Sequence, residues 1–224
     1  MKITRNVLAC LSLALLSATA IGAQDLSKYR NFSLQSSLAV VSKQADVTPD
    51  EVNTTYRSPA VIQDFSLWPI ESSEGPARSE DVQQMQFSFC NGELYKIVVT
   101  YRTAATEGLT AEDMVQAVSA KYGIAERPAA DSNPPKNLSY SSADTQVALW
   151  EDAQYSVALS HSPLSESFQL VVLSKQLERQ ANAAIADAVA QERDDAPQRE
   201  VARVKKEAED LQTLREANIK AFRP

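Results

Sequence analysis

Cys90 and His161 are the residues whose side chains could do covalent chemistry. Cys90 lies in FSFCNGELYKIVVTY (Phe87 to Tyr101), and His161 is the single histidine of the 224-residue chain. A thiol nucleophile needs a histidine or another activator to raise its thiolate fraction, so a Cys90–His161 dyad is the one Cys–His pairing available besides the leader cysteine Cys10. Neither residue is flanked by an oxyanion-hole or orienting motif. A lone exposed thiol could instead pair between chains or oxidise to a sulfenic acid.

Other chemistries have still less to work with. One histidine and one cysteine beyond the leader do not make a usual zinc set. The carboxylate pairs Asp50-Glu51, Glu112-Asp113 and Asp194-Asp195 suggest acid/base or calcium sites, but no Asp-x-Asp-x-Asp-Gly loop is present. The first two pairs stand at helix starts, where negative charge meets the helix dipole. Gly75, Gly92, Gly108 and Gly123 are scattered, so no phosphate-cradling loop forms, and no Gly-x-Ser-x-Gly elbow occurs. No residue is therefore assigned a catalytic, cofactor-binding or metal-ligating role, and no cofactor is expected. Asn31, Asn53 and Asn137 sit in Asn-x-Ser/Thr triplets, which matter only in a eukaryotic secretory route. Trp68 and Trp150 are the candidate anchors if a ligand-binding sheet face exists.

The elements that must carry these residues begin with a leader. Lys2 and Arg5 precede ten apolar residues, Val7 to Leu16, and a run of small residues. Ten is short of the roughly 20 needed to span a bilayer, so residues 1–23 read as a cleaved export signal, cut after Ala20 or Ala23. Cys10 precedes the end of the apolar core, a poor position for lipidation. Removing the leader leaves Cys90 alone, and without a disulfide the fold must rest on its apolar core. Periplasmic or extracellular residence in a bacterium follows as the expectation.

Charge divides the rest. Residues 175–224 carry ten basic and ten acidic side chains and the leader carries +2, so of the net −7 the body 24–174 holds −9. An acidic body repels phosphate backbones and argues against nucleic acid.

Within the body, Leu34, Leu38, Val41 and Ala45 recur at helical spacing. Thr48-Pro49-Asp50-Glu51 reads as the capped start of a short helix that Pro59 ends. Residues 60–68 alternate like a strand, and 69–81 form a polar loop. In the hairpin, Met85, Phe87 and Phe89 share one face, and Tyr95, Ile97, Val99 and Tyr101 another. A two-residue turn at Asn91-Gly92 would pair Phe89 with Leu94 and set these faces on opposite sides. A three-residue loop, Cys90-Asn91-Gly92, pairs Phe87 with Tyr95 and Met85 with Ile97 and is preferred; it puts Cys90 in the turn, partly exposed.

Thr110 and Asp113 then open a helix whose Met114, Val118 and Tyr122 lie on one face, closed by Gly123. After a Pro-rich loop (125–137) come strands at 146–151, 154–161 and 167–174. The body thus divides into two candidate halves, 24–105 and 106–174, each a helix followed by three strands. Residues 48–52 align on 110–114 with an offset of 62, whereas Ser42 on Ser119 gives 77, so a duplication rests on two competing alignments.

The region 175–224 is rich in helix formers. Ala196-Pro197 should break it into two helices. Leu177, Ala181, Ala184 and Ala188 form an alanine-rich stripe in the first. Val201, Val204, Ala208 and Leu211 give two heptads in the second before Arg215 and Asn218 interrupt, short of the three or four of a coiled coil.

With FSFCNGELYKIVVTY, TEGLTAEDMVQAVSAKYG and WEDAQYSVALSHSPLSESFQLVVLSK in hand, the chain resembles a group of uncharacterised exported bacterial proteins, the charged tail ending near FRP included. That resemblance implies export and architecture, and no chemistry. The helix-then-antiparallel-sheet order is also similar to small periplasmic modules of outer-membrane assembly lipoproteins, by analogy of fold.

The expectation is an α+β fold: an antiparallel sheet with packed helices, followed by a long charged C-terminal helical arm. The expected function is that of a non-enzymatic envelope protein that binds a protein partner or itself through the C-terminal helix. A small-ligand or lipid carrier using the sheet face is the alternative, and a thiol enzyme the remote one.

Overall fold

A computed structural model describes residues 25–68, 81–127 and 145–223. The leader, with Cys10 and both cleavage points, lies outside them, as do most of the two loops and Asn137.

Two short strands, β1 (Lys28–Tyr29) and β2 (Phe32–Ser33), precede α1 (Leu38–Ala45) and a single 3-10 turn, Pro49–Glu51. Then come β3 (Asn53–Tyr56), β4 (Ile62–Leu67), β5 (Val82–Cys90) and β6 (Glu93–Tyr101). The second part runs α2 (Thr103–Thr106), α3 (Ala111–Tyr122), β7 (Thr145–Glu151), β8 (Tyr155–Ser162) and β9 (Ser167–Ser174), and ends in α4 (Lys175–Ala221). The class is α+β with an antiparallel sheet.

Seven strands form one sheet in the order β3-β4-β5-β6-β9-β8-β7. Each half contributes a helix and a meander, β4-β5-β6 after α1 and β7-β8-β9 after α3, and the meanders join through their last strands, Val98 opposite Val171. The halves share a single core. Val41 and Ala45 of α1 and Met114, Val115, Val118 and Tyr122 of α3 pack with Phe65, Phe87, Phe89, Ile97, Trp150 and Leu170 on one face. The 77-residue offset thus places Val41 on Val118, both buried. The 62-residue offset does not correspond structurally, because Thr48 caps the turn that follows α1 whereas Thr110 caps α3 itself.

Both capping boxes form as expected. The Thr48 N–H donates to Glu51 Oε2 at 2.7 Å and the Thr110 N–H to Asp113 Oδ2 at 2.8 Å. The helical segments of the first half differ from expectation at two points. Leu34 stands outside α1, because Gln35 has a φ of 66° and donates its N–H to the Leu94 carbonyl. The short helix expected to reach Pro59 is only the 3-10 turn, since Asn53-Thr54-Thr55-Tyr56, which favours extended backbone, pairs with β4 instead.

The expected break near 197 is absent. α4 runs 47 residues with Pro197 inside it. Proline removes one N–H and crowds the carbonyl four residues back, but that carbonyl belongs to exposed Arg193, within reach of water. Helix formers on both sides carry the helix through.

Candidate interaction surface

The hairpin settles its register in a way that neither simple turn allows. Asn91 and Gly92 have φ of 51° and 80° and make the two-residue turn, so Cys90 pairs with Glu93 and Phe89 with Leu94. The register then slips by one between Ser88 and Phe89, giving Ser88–Lys96, Phe87–Ile97 and Met85–Val99. A bulge of this kind inserts one extra residue into one strand. The apolar faces do coincide, as the matching argument required, but the extra residue sits in β6 and not in the turn.

Two corrections follow. Cys90 is in the ladder, 3% exposed, rather than in an open corner. The corner is covered: Asn91 exchanges hydrogen bonds with Val61, and Leu38 donates to the Gly92 carbonyl at 2.8 Å. Burial and Glu93 both push the Cys90 thiol up, away from the thiolate. Tyr95, expected on the face of Ile97 and Val99, packs on the opposite face with Ile62 and Cys90.

That opposite face seats α4. Leu177 and Ala181 pack against Ile62, Cys90 and Tyr95, and the expected alanine stripe continues through Ala184 and Ala188. Tyr95 and Lys96 are neighbours here, with Lys96 Nζ 5.8 Å from the Tyr95 ring centre. Glu178 is buried beside them, its Oε1 without a hydrogen-bond partner. Desolvation raises its carboxyl above the usual range against the opposing pull of Lys96, and desolvation likewise lowers Lys96. The alanine stripe is the part of this seat that the sequence shows; Lys96, within the apolar run of β6, carries no such signal. The bulge that makes the seat carries no pattern of its own.

Beyond Ala188 no described residue of α4 is buried. Val201, Val204, Leu211, Leu214, Ile219 and Phe222 are 52–77% exposed. Arg203 pairs with Glu200 and Glu207, and Lys205 with Glu209, at helical spacings that support a helix standing on its own. No helix among the described residues is long and apolar enough to cross a membrane.

The remaining candidates are not brought together. His161 lies tilted against Phe168 with ring centres 4.7 Å apart and pairs across the sheet with Thr145 and Phe168, the row that continues toward Tyr101. Cys90 lies in the row of Glu93, at the other end of the sheet. Trp150 is 1% exposed and donates its indole N–H to the Gly123 carbonyl at 2.9 Å; Trp68 is 58% exposed beyond β4, with four strands between that strand and β7. The tryptophans share no face. Among the described residues no group of three His, Cys, Asp or Glu side chains could hold a metal. Comparison with protein-family models, curated proteins and solved structures returned no match.

Proposed function

We propose that this protein is an exported, non-enzymatic envelope protein whose body anchors α4 as an arm that pairs with the arm of a second copy. The observation that carries the reading is the exposed apolar stripe, Val201 to Phe222, on a helix whose first turns are fastened to the sheet.

Charge supports pairing in opposite directions. Residues 187–200 hold five acidic and two basic side chains, whereas 213–223 hold three basic and one acidic. Antiparallel arms lay the acidic stretch of one along the basic end of the other, while parallel arms align like with like. Arg215 and Asn218 within the stripe weaken the seam and restrict its register.

Sedimentation of the mature chain against a version ending at Arg199 tests this. The full chain should dimerise with rising concentration and the shortened one remain monomeric. Two monomers overturn the arm's role. Export is tested separately by the mass of the protein recovered from the cell envelope, expected to begin at residue 21 or 24.

A further inference from the structure

On the core side of the sheet, away from the arm, α2 and α3 leave a cleft of about 290 Å³ against β6 and β9. That is at the small end of ligand pockets, which span roughly 300–1,000 Å³. Leu109, Met114, Val118 and Leu170 supply an apolar wall.

Three phenols, Tyr29, Tyr101 and Tyr122, also line the cleft. Tyr122 donates its hydroxyl to the Lys28 carbonyl at 2.7 Å. Tyr101 and Tyr29 lie close enough to raise or lower each other's hydroxyl, and the Arg30 guanidinium acts on Tyr29 as a neighbouring positive charge. Burial pushes all three phenols up, so they are neutral hydrogen-bonding groups at any physiological pH.

Cations gather at this end. Lys121 Nζ stands 4.9 Å from the Tyr122 ring centre and 5.3 Å from that of Tyr29, and Arg30 Cζ is 5.6 Å from Tyr29. The ring faces hold the ammonium in place by their quadrupoles. Asp25 is engaged with Lys28 at 2.7 Å, and Asp81 is the one carboxylate lining the cleft. Lys121 and Asp81 thus line the cleft beside the apolar wall, and Arg30 adds a second positive charge next to it over Tyr29, on a body that is otherwise strongly acidic.

We propose that this cleft binds a small amphiphilic carboxylate, with the head group at Lys121 and Arg30 and the apolar body against Met114, Val118 and Leu170. The excess of positive charge selects an anion, and charge-assisted hydrogen bonds are the strong ones. The apolar wall and small volume select a short acyl or similar chain.

Octanoate is the probe, with octanol and octylammonium as neutral and cationic controls, titrated calorimetrically into the mature chain. Octanoate should bind saturably at one site, about tenfold or more tighter than either control, the effect of one charge-assisted contact. Lys121→Gln, at an exposed position, should leave the far-UV spectrum unchanged and remove that preference. Val118→Trp should fill the cleft and abolish binding of octanoate and octanol alike. No saturable binding, equal affinity for octanoate and octanol, tighter binding of octylammonium, or a preference that survives Lys121→Gln each overturns the proposal.

Discussion

Glu178 of α4 faces Lys96 of β6 across the seam between arm and sheet, one charge from the arm's first turn and one from the middle of an apolar strand. Because desolvation outweighs their attraction for Glu178, its carboxyl takes up a proton more readily in the fold than in the unfolded chain. The native state then binds more protons than the unfolded one in the window above the ordinary carboxylate pKa of 4.5. Stability from this group therefore rises as pH falls through that window. Glu178→Gln should gain on the order of 1 kcal/mol at pH 7 and lose the acid-side rise, as read by urea denaturation at pH 5 and 7. A variant less stable at pH 7 would show that the ion pair, and not desolvation, dominates.

Burial of Cys90 predicts its chemistry. An aromatic disulfide reagent should modify it slowly in the folded protein and quickly in denaturant, because the thiol reacts only from opened states. Rapid labelling of the folded chain would put Cys90 back in an open corner. Gly92→Ala should speed labelling, since a left-handed residue with a Cβ costs about 1–2 kcal/mol at φ +80°.

The two tryptophans should be separable by fluorescence. Trp150 should emit blue and resist iodide, and Trp68 should emit red and be quenched. Trp150→Phe removes the bond to Gly123 and should cost about 1–2 kcal/mol, leaving only the quenchable emission.

Pro197 predicts a stabilisable arm. Pro197→Ala restores a helix hydrogen bond and should strengthen the exposed helix by up to about 3 kcal/mol, visible as slower amide exchange around residues 193–201. Exchange unchanged there would mean that the helix is already interrupted at 197.

Leu177→Ala tests the seat. It removes a buried contact with Ile62, Cys90 and Tyr95 and should cost about 2–4 kcal/mol, whereas Leu211→Ala at an exposed site should leave monomer stability within about 0.5 kcal/mol. Equal costs would mean that α4 does not separate into a seated and a free part.

What the sequence determined by itself was whatever depends on near neighbours along the chain. The caps at Thr48 and Thr110, the face of Met114, Val118 and Tyr122, and the strands 145–151, 155–162 and 167–174 were legible because each follows from spacing within a few residues. The alanine stripe that seats α4 was legible for the same reason.

Tertiary structure decided the rest. β3 exists because β4 offers Asn53 to Tyr56 a partner, and residues 35 and 38 and Val61 close over the hairpin corner, so a position that looked exposed is buried. The slip between Ser88 and Phe89 reconciles a tight Asn-Gly turn with coincident apolar faces, and in doing so turns Tyr95 toward the arm. No local pattern encodes that choice. It is settled by which of two registers buries more apolar surface once the neighbouring strands and α4 are in place.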